Sequence, residues 1–208
     1  MREPRTGLAD GARAPAGVEI LDAFLLSTIV IFVAELGDKS QLMALTFATR
    51  FRTLPVLVGI TLATAVVHLV SVVIGAALGA AIPTRPISIV AAVAFVIFGL
   101  WTLRGDELTE QDEARAAAVS TRSAVIAVGT VFFLAELGDK TMLATITLAT
   151  TEGLVGTWLG STVGMVAADA LAIVVGRQLG TRLPERAIKI GAAVAFFVFA
   201  AVLALEAI

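Results

Sequence analysis

The sequence has no cysteine, a single histidine and little charge for its 208 residues. Without cysteine there can be no disulfide bond, thiolate metal site or thiol nucleophile. The 15 basic residues are slightly outnumbered by 17 acidic ones, so the chain carries no basic field that would bind nucleic acid. Residues 1–17 are polar and lack the apolar core of a signal peptide. We expect residues 1–21 to form a disordered tail.

Long apolar runs are what the chain does have. Hydrophobic residues make up 58% of it and its mean hydropathy is +0.97, values typical of a multi-span membrane protein. The pattern predicts an all-α integral membrane protein with six transmembrane helices. The predicted spans are 22–49, 54–81, 87–103, 123–151, 154–176 and 187–205.

The two halves of the chain repeat one another. A shift of 101 residues aligns 22–104 with 123–205 without a gap, and 29 of the 83 aligned pairs are identical. We therefore predict a first three-helix repeat at 22–104, an acidic linker at 105–122 and a second three-helix repeat at 123–208. Because three spans are an odd number, the second repeat must cross the membrane in the opposite direction, which predicts an inverted repeat with a pseudo-two-fold axis in the membrane plane.

One motif appears in both repeats, in the middle of an apolar run. Ala-Glu-Leu-Gly-Asp-Lys stands at 34–39 and again at 135–140. A charged residue at the centre of a membrane helix costs about 2.5–3.5 kcal/mol on insertion scales. Six such residues must be paired, hydrated or bound to an ion, so the motifs indicate a functional site.

The motif carboxylates suit a hard cation. On a continuous helix Glu35 and Asp38 share a face, as do Glu136 and Asp139, and the two-fold axis would gather the four side chains. Four clustered carboxylates cannot all stay ionised in a low-dielectric site, so they hold either protons or an ion such as Mn²⁺, Ca²⁺ or Mg²⁺. Holding one or the other, but not both, is the physical basis of cation–proton antiport.

Other residues are predicted to support this site. Lys39 and Lys140 follow the motif glutamates by four positions, the favourable order for an ion pair within one helix. Gly37 and Gly138 are expected to loosen the helix at each motif. Neutral oxygens come from Ser40, Gln41 and Thr141, and Met142 stands where the first repeat has Gln41.

His68 and Asp169 are also equivalent residues, 101 positions apart in the second span of each repeat. One interpretation makes them a proton relay or outer partners of the ion. The other makes them a structural pair, with His68 hydrogen-bonded between helices and Asp169 as its partner.

Three further alternatives remain open from the residues alone. The motifs could be structural ion pairs, or re-entrant turns outside the hydrocarbon. The same architecture could export an amino acid, with Lys39 and Lys140 binding its carboxylate. An intramembrane hydrolase with an aspartyl pair is disfavoured because an adjacent lysine opposes the sharing of a proton, and a non-transporting assembly factor would leave the buried carboxylates unexplained.

The twin motif resembles the Glu-x-Gly-Asp-(Lys/Arg)-(Ser/Thr) signature of the Gdt family, small exchangers of the lysine-exporter superfamily that include the Golgi manganese/calcium transporter. The similarity covers essentially the whole chain. It implies a transporter rather than an enzyme, with no prosthetic group, that moves Mn²⁺, and in second place Ca²⁺, against protons. It also implies that the four motif carboxylates carry the ions.

The resemblance further implies a bacterial plasma-membrane protein that exports manganese. Nine basic residues in the loops after the odd-numbered spans, against four on the other side, predict that both termini lie outside and that the linker is cytoplasmic. The expected partners are lipid, the divalent cation and protons, with no nucleic acid. A six-helix unit of this size is also expected to be able to form a homodimer, although no sequence feature requires one.

Overall fold

The computed structural model describes residues 16–104, 123–179 and 185–207, and within these ranges the chain is helical with no strand. Eight helices follow one another: α1 Ala16–Glu35, α2 Lys39–Arg50, α3 Thr53–Ala81, α4 Thr84–Arg104, α5 Ala124–Glu136, α6 Lys140–Ala149, α7 Leu154–Leu179 and α8 Glu185–Glu206. Helix α1 begins before the predicted start of the first span and includes the end of the predicted tail. Residues 1–15 and the predicted linker at 105–122 lie outside the described residues.

Two of the predicted spans are broken at their motifs. The first consists of α1 and α2 and the fourth of α5 and α6, so the prediction of a continuous helix through each motif is wrong. Five helices in the described ranges are long and apolar enough to cross a membrane, namely α1, α3, α4, α7 and α8. The 13 residues of α5 extend only about 20 Å and cross a bilayer only together with α6.

The outer surface of the helices is apolar. Leucine, isoleucine and valine side chains are exposed along every long helix, among them Val90 at 66%, Leu62 at 56% and Val198 at 56%. Polar and charged side chains, including the four carboxylates of the two motifs, are instead buried between the helices. This inverts the pattern of a water-soluble protein and is what a lipid environment requires.

The broken helices of each repeat pack on the other repeat. Helices α1 and α2 run parallel to α7, and α5 and α6 run parallel to α3. A Cβ at Gly160 would lie 2.3 Å from the carbonyl oxygen of Phe24, and a Cβ at Gly59 would lie 2.9 Å from that of Val125, the equivalent residue. Small residues at these crossings allow close backbone contact, and the same contact is made twice with the repeats exchanged.

Two pairs of equivalent residues touch each other at the centre of the protein. The Thr64 hydroxyl lies 3.4 Å from the sulfur of Met165, between α3 and α7. The rings of Phe95 and Phe196, between α4 and α8, have centroids 5.9 Å apart. The members of each pair are 101 positions apart, so each contact joins equivalent residues of the two repeats.

Candidate functional site

Each motif forms a tight turn between two helices. In the second copy α5 ends at Glu136, Leu137 has φ −66° and ψ 112°, Gly138 has φ +81°, and Asp139 donates its N–H to the Glu136 carbonyl at 3.2 Å. These are the features of a type II turn, which needs glycine at its third position. Gly37 in the first copy has φ +76°. The break is therefore encoded by the glycine of each motif.

The break puts the carboxylates that were predicted to share a helix face on different segments of the backbone, although the Ser40 hydroxyl contacts both Glu35 and Asp38. Glu35 is the last residue of α1, whereas Asp38 has extended backbone angles and precedes the first residue of α2. That prediction is wrong because the helical spacing does not continue through the turn. Asp38 and Asp139 instead lie at the amino ends of α2 and α6, where the helix dipole stabilises negative charge.

The lysines pair with aspartates of the opposite repeat. The Lys140 ammonium lies 2.5 Å from Oδ1 of Asp38, and the Lys39 ammonium lies 3.3 Å from Oδ1 of Asp139. The predicted ion pairs with the glutamates of the same helix are wrong, because each lysine starts a new helix. The two pairs differ in depth: 22% of the Lys39 side chain is exposed, against 2% for Lys140.

The motif glutamates are held by hydroxyl groups across each turn. Ser40 donates a hydrogen bond to Oε1 of Glu35, and Thr141 donates one to Oε2 of Glu136 at 2.9 Å. The other oxygen of each glutamate is buried and has no hydrogen-bond partner among the described residues. Each repeat thus offers one fixed, unsatisfied carboxylate oxygen to the interior.

The glutamine of the first motif fixes its turn to α7. Gln41 accepts the Gly37 N–H at 2.9 Å and donates to the Ala168 carbonyl at 3.0 Å, directly before Asp169. Met142 occupies the equivalent position in the second motif, where its sulfur lies 3.2 Å from the Gly138 nitrogen. A thioether has no N–H to donate, so the second motif lacks this link to the opposite repeat.

Asp169 is fully buried, and neither of its carboxylate oxygens has a hydrogen-bond partner among the described residues. It interacts electrostatically with Glu35, Glu136 and Asp38. His68 is also buried, and its Nδ1 has no partner within the same ranges. The structural alternative, in which His68 and Asp169 bond to each other, is therefore wrong.

Negative charge dominates this interior. Among the described residues, five buried carboxylates lie in this interior with two ammonium groups, so three more of these groups are acidic than basic. In this conformation no three histidine or acidic side chains of the described ranges converge as a metal-ligand set. Two ammonium groups occupy positions beside the aspartates instead. Taken by themselves, the described groups would be neutralised only with additional positive charge, which protons or a mobile cation can supply.

The sequence did not reveal the lysine–aspartate pairs between the repeats or the contacts between equivalent residues. The 101-residue offset relates Thr64 to Met165, but this offset alone does not say which equivalent residues touch. It also missed that Ile188 and Lys189 of α8 cover the first turn: a Cβ at Gly37 would lie 3.3 Å from Cγ2 of Ile188. Nothing in the described ranges lies within 4 Å of the same position at Gly138.

Comparison with known proteins identifies the family. The family described as "Divalent cation/proton antiporter GDT1" matches residues 23–110 and 124–208, which include both motifs. The chain belongs to the GDT1 family. It is thus a membrane transporter that exchanges a divalent cation for protons, and it is not an enzyme.

Several relatives agree with this membership. A Vibrio cholerae protein named "Putative manganese exporter" is 29% identical over 168 residues, covering 79% of the chain and 82% of the relative. "GDT1-like protein sll0615" of Synechocystis is 30% identical over 88% of the chain and 97% of its own length. "Protein PAM71, chloroplastic" of Arabidopsis thaliana is 33% identical, and the match covers 90% of the chain and 58% of that relative. No solved structure gave a significant match.

Membership in the GDT1 family also decides between the alternatives left open by the sequence. The family consists of divalent cation/proton antiporters, and hydrolase or assembly roles are not those of the family. An amino-acid substrate would need a lysine for its carboxylate, yet Lys39 and Lys140 both contact aspartates. The geometry therefore gives that alternative no support.

Proposed function

We propose that the protein exports Mn²⁺ in exchange for protons and that Ca²⁺ is its second substrate. The name of the Vibrio cholerae relative supports manganese and export. The donor set also fits, since carboxylate, hydroxyl and carbonyl oxygens suit Mn²⁺ and Ca²⁺.

The observation that carries this proposal is the pair of motif glutamates. Glu35 and Glu136 are buried, each is fixed by a hydroxyl group, and each keeps one oxygen without a partner among the described residues. We assign these glutamates, with Asp38 and Asp139, as the groups that hold the cation or protons. On cation entry, Lys140 and Lys39 would leave the aspartates, because the ion replaces their charge.

The proposed architecture is a six-span inverted repeat, in which α1–α2 and α5–α6 each count as one broken span. Helix α3 ends beside α6, and α6 leads directly into α7, so α3 and α7 are antiparallel. The reciprocal contacts between the repeats support a two-fold axis in the membrane plane. Broken helices beside a central site are typical of secondary transporters.

Basic residues at the helix ends support an orientation. Five of those in the described ranges lie at the end of the bundle where α3 and α8 begin, called here the basic face: Arg50, Arg52, Arg104, Arg186 and Lys189. Arg85 lies at the opposite end. We place the basic face in the cytoplasm of a bacterial plasma membrane, with both termini outside. A homodimer stays a prediction that nothing in the described residues supports.

The two ends of the site differ in a way that fits alternating access. Helix α8 covers the turn of the first motif at Gly37, whereas no described residue lies within 4 Å of the equivalent position at Gly138. We propose that the first turns of α8 and α4 close the two routes in alternation, and that the structure represents the state closed toward the basic face.

The test is flux through the purified protein in liposomes that contain a pH-sensitive dye. Addition of Mn²⁺ outside should move protons out of the wild-type vesicles, with a weaker response to Ca²⁺. Glu35→Gln and Glu136→Gln should each abolish this response, because the neutral amide cannot exchange a proton for the cation. Glu19→Gln makes the same chemical change at an exposed position and should transport normally.

Wild-type flux in either motif variant would remove the site assignment. Metal uptake without proton movement would contradict antiport, and no response to any divalent cation would contradict the proposed substrate class.

A further inference from the structure

His68 and Asp169 lie on opposite sides of the contact between the equivalent residues Thr64 and Met165. Each is four residues beyond that contact, and because α3 and α7 are antiparallel, the two side chains are displaced toward opposite ends of the bundle. The displacement along the helices totals about 12 Å at 1.5 Å per residue. Asp169 lies toward the basic face and His68 toward the opposite face.

The two equivalent positions provide different electrostatic environments. Asp169 is fully buried, is without a hydrogen-bond partner in the described ranges and interacts with three motif carboxylates. Gln41 fixes the backbone beside it through the Ala168 carbonyl. His68 is equally buried, and its Nδ1 has no hydrogen-bond partner in those ranges. The position toward the basic face therefore carries a carboxylate without a hydrogen-bond partner in the described ranges, and the position toward the opposite face carries an imidazole.

We propose that Asp169 sets the affinity for the divalent cation on the route from the basic face, and that His68 leaves the opposite route weaker. The inference rests on the proposed function and adds to it a difference in cation affinity between the two membrane faces. A carboxylate oxygen attracts a hard divalent cation more strongly than a neutral imidazole does. This difference affects only the apparent affinity for the cation at each face. The direction of net exchange is set by the two ion gradients.

The test compares KM for Mn²⁺ in inside-out and right-side-out membrane vesicles. Because the native chain has no cysteine, an Arg52→Cys substitution on the basic face, labelled with a membrane-impermeant maleimide, reports the orientation of each preparation. Wild-type protein should show the lower KM at the basic face. Asp169→Asn should raise KM there about tenfold, equivalent to about 1.4 kcal/mol, with little change at the opposite face.

The reciprocal substitution gives an independent readout. His68→Asp retains Asp169 and adds a carboxylate to the weaker route, so it should lower KM at the face opposite the basic one. Asp22→Asn, the same change as Asp169→Asn at an exposed position, is the matched control and should leave both KM values unchanged.

A uniform rise of KM at both faces in Asp169→Asn would overturn the proposal, because Asp169 would then act only at the shared site. An unchanged opposite face in His68→Asp would overturn it as well, and this variant decides the question if Asp169→Asn does not insert. Absence of Mn²⁺-driven proton movement in the wild type would instead contradict the proposed function, which separates the two failures.

Discussion

Lys140 of the second repeat places its ammonium 2.5 Å from a carboxylate oxygen of Asp38 in the first, with both side chains buried. The equivalent contact between Lys39 and Asp139 is longer, at 3.3 Å, and part of the Lys39 side chain is exposed. The same two residue types thus meet twice, once in a closed environment and once near an opening.

This difference in burial predicts unequal effects of removing each lysine. Lys140→Met takes the cation away from a buried carboxylate, a change that costs about 3–5 kcal/mol. Lys39→Met also leaves a buried aspartate, but it should cost less, because the Lys39 ammonium lies farther from its carboxylate, at 3.3 Å, and the lysine is itself partly exposed. Thermal unfolding in detergent should therefore show a larger drop for Lys140→Met. The double variant Lys140→Met with Asp38→Asn should recover much of it, and equal losses for the two lysines would contradict this account.

The positive φ angles of the motif glycines predict that alanine at these positions reduces transport, whereas alanine at a positive-φ glycine outside the motifs does not. Alanine at a left-handed position costs about 1–2 kcal/mol. Gly37→Ala and Gly138→Ala should both reduce Mn²⁺ flux. The reduction should be larger for Gly37→Ala, because its Cβ would also lie only 3.3 Å from Cγ2 of Ile188. Gly153→Ala imposes the same strain at φ +87° in a turn outside the motifs and should keep wild-type flux. Loss of flux in all three variants would point to strain alone.

The close contact of α1 with α7 predicts a stability effect at Gly160. Alanine there would bring a Cβ to 2.3 Å from the Phe24 carbonyl oxygen, so the helices must separate. Gly191→Ala makes the same change in α8 where nothing in the described ranges lies within 4 Å, and alanine is the better helix former by about 1 kcal/mol. Unfolding midpoints should fall for Gly160→Ala and stay level or rise for Gly191→Ala. A stable Gly160→Ala would mean that the crossing is loose.

The sequence predicted the helical class, the membrane location and the motif residues, because these depend on composition, periodicity and one repeated hexapeptide. The break at Glu35 was only partly foreseen. Gly37 indicated a loosened helix, but the repeat itself gave no reason for Asp38 to adopt extended angles. The exchange of lysine partners could not be predicted, since Lys39 has a glutamate four residues away in sequence and an aspartate from the other repeat in space.

The chemical differences between equivalent positions of the two repeats were also only partly predictable from the sequence. The offset of 101 residues shows that Gln41 corresponds to Met142 and His68 to Asp169. It does not show that Gln41 holds the carbonyl before Asp169, because that contact depends on how α2 packs along α7. The sequence shows which equivalent positions carry different residues. Only the tertiary packing shows that two of these positions, Gln41 and Asp169, lie side by side.

The crossed pairing of the repeats has a consequence for biosynthesis. Asp38 obtains its ammonium partner from residue 140, and α1 obtains its packing surface from α7. A ribosome that has completed only the first three-helix unit has therefore inserted an acidic turn whose cation has not yet been translated. Neither half can reach its final structure alone, so the two halves should assemble when expressed as separate polypeptides and be degraded when either is expressed singly.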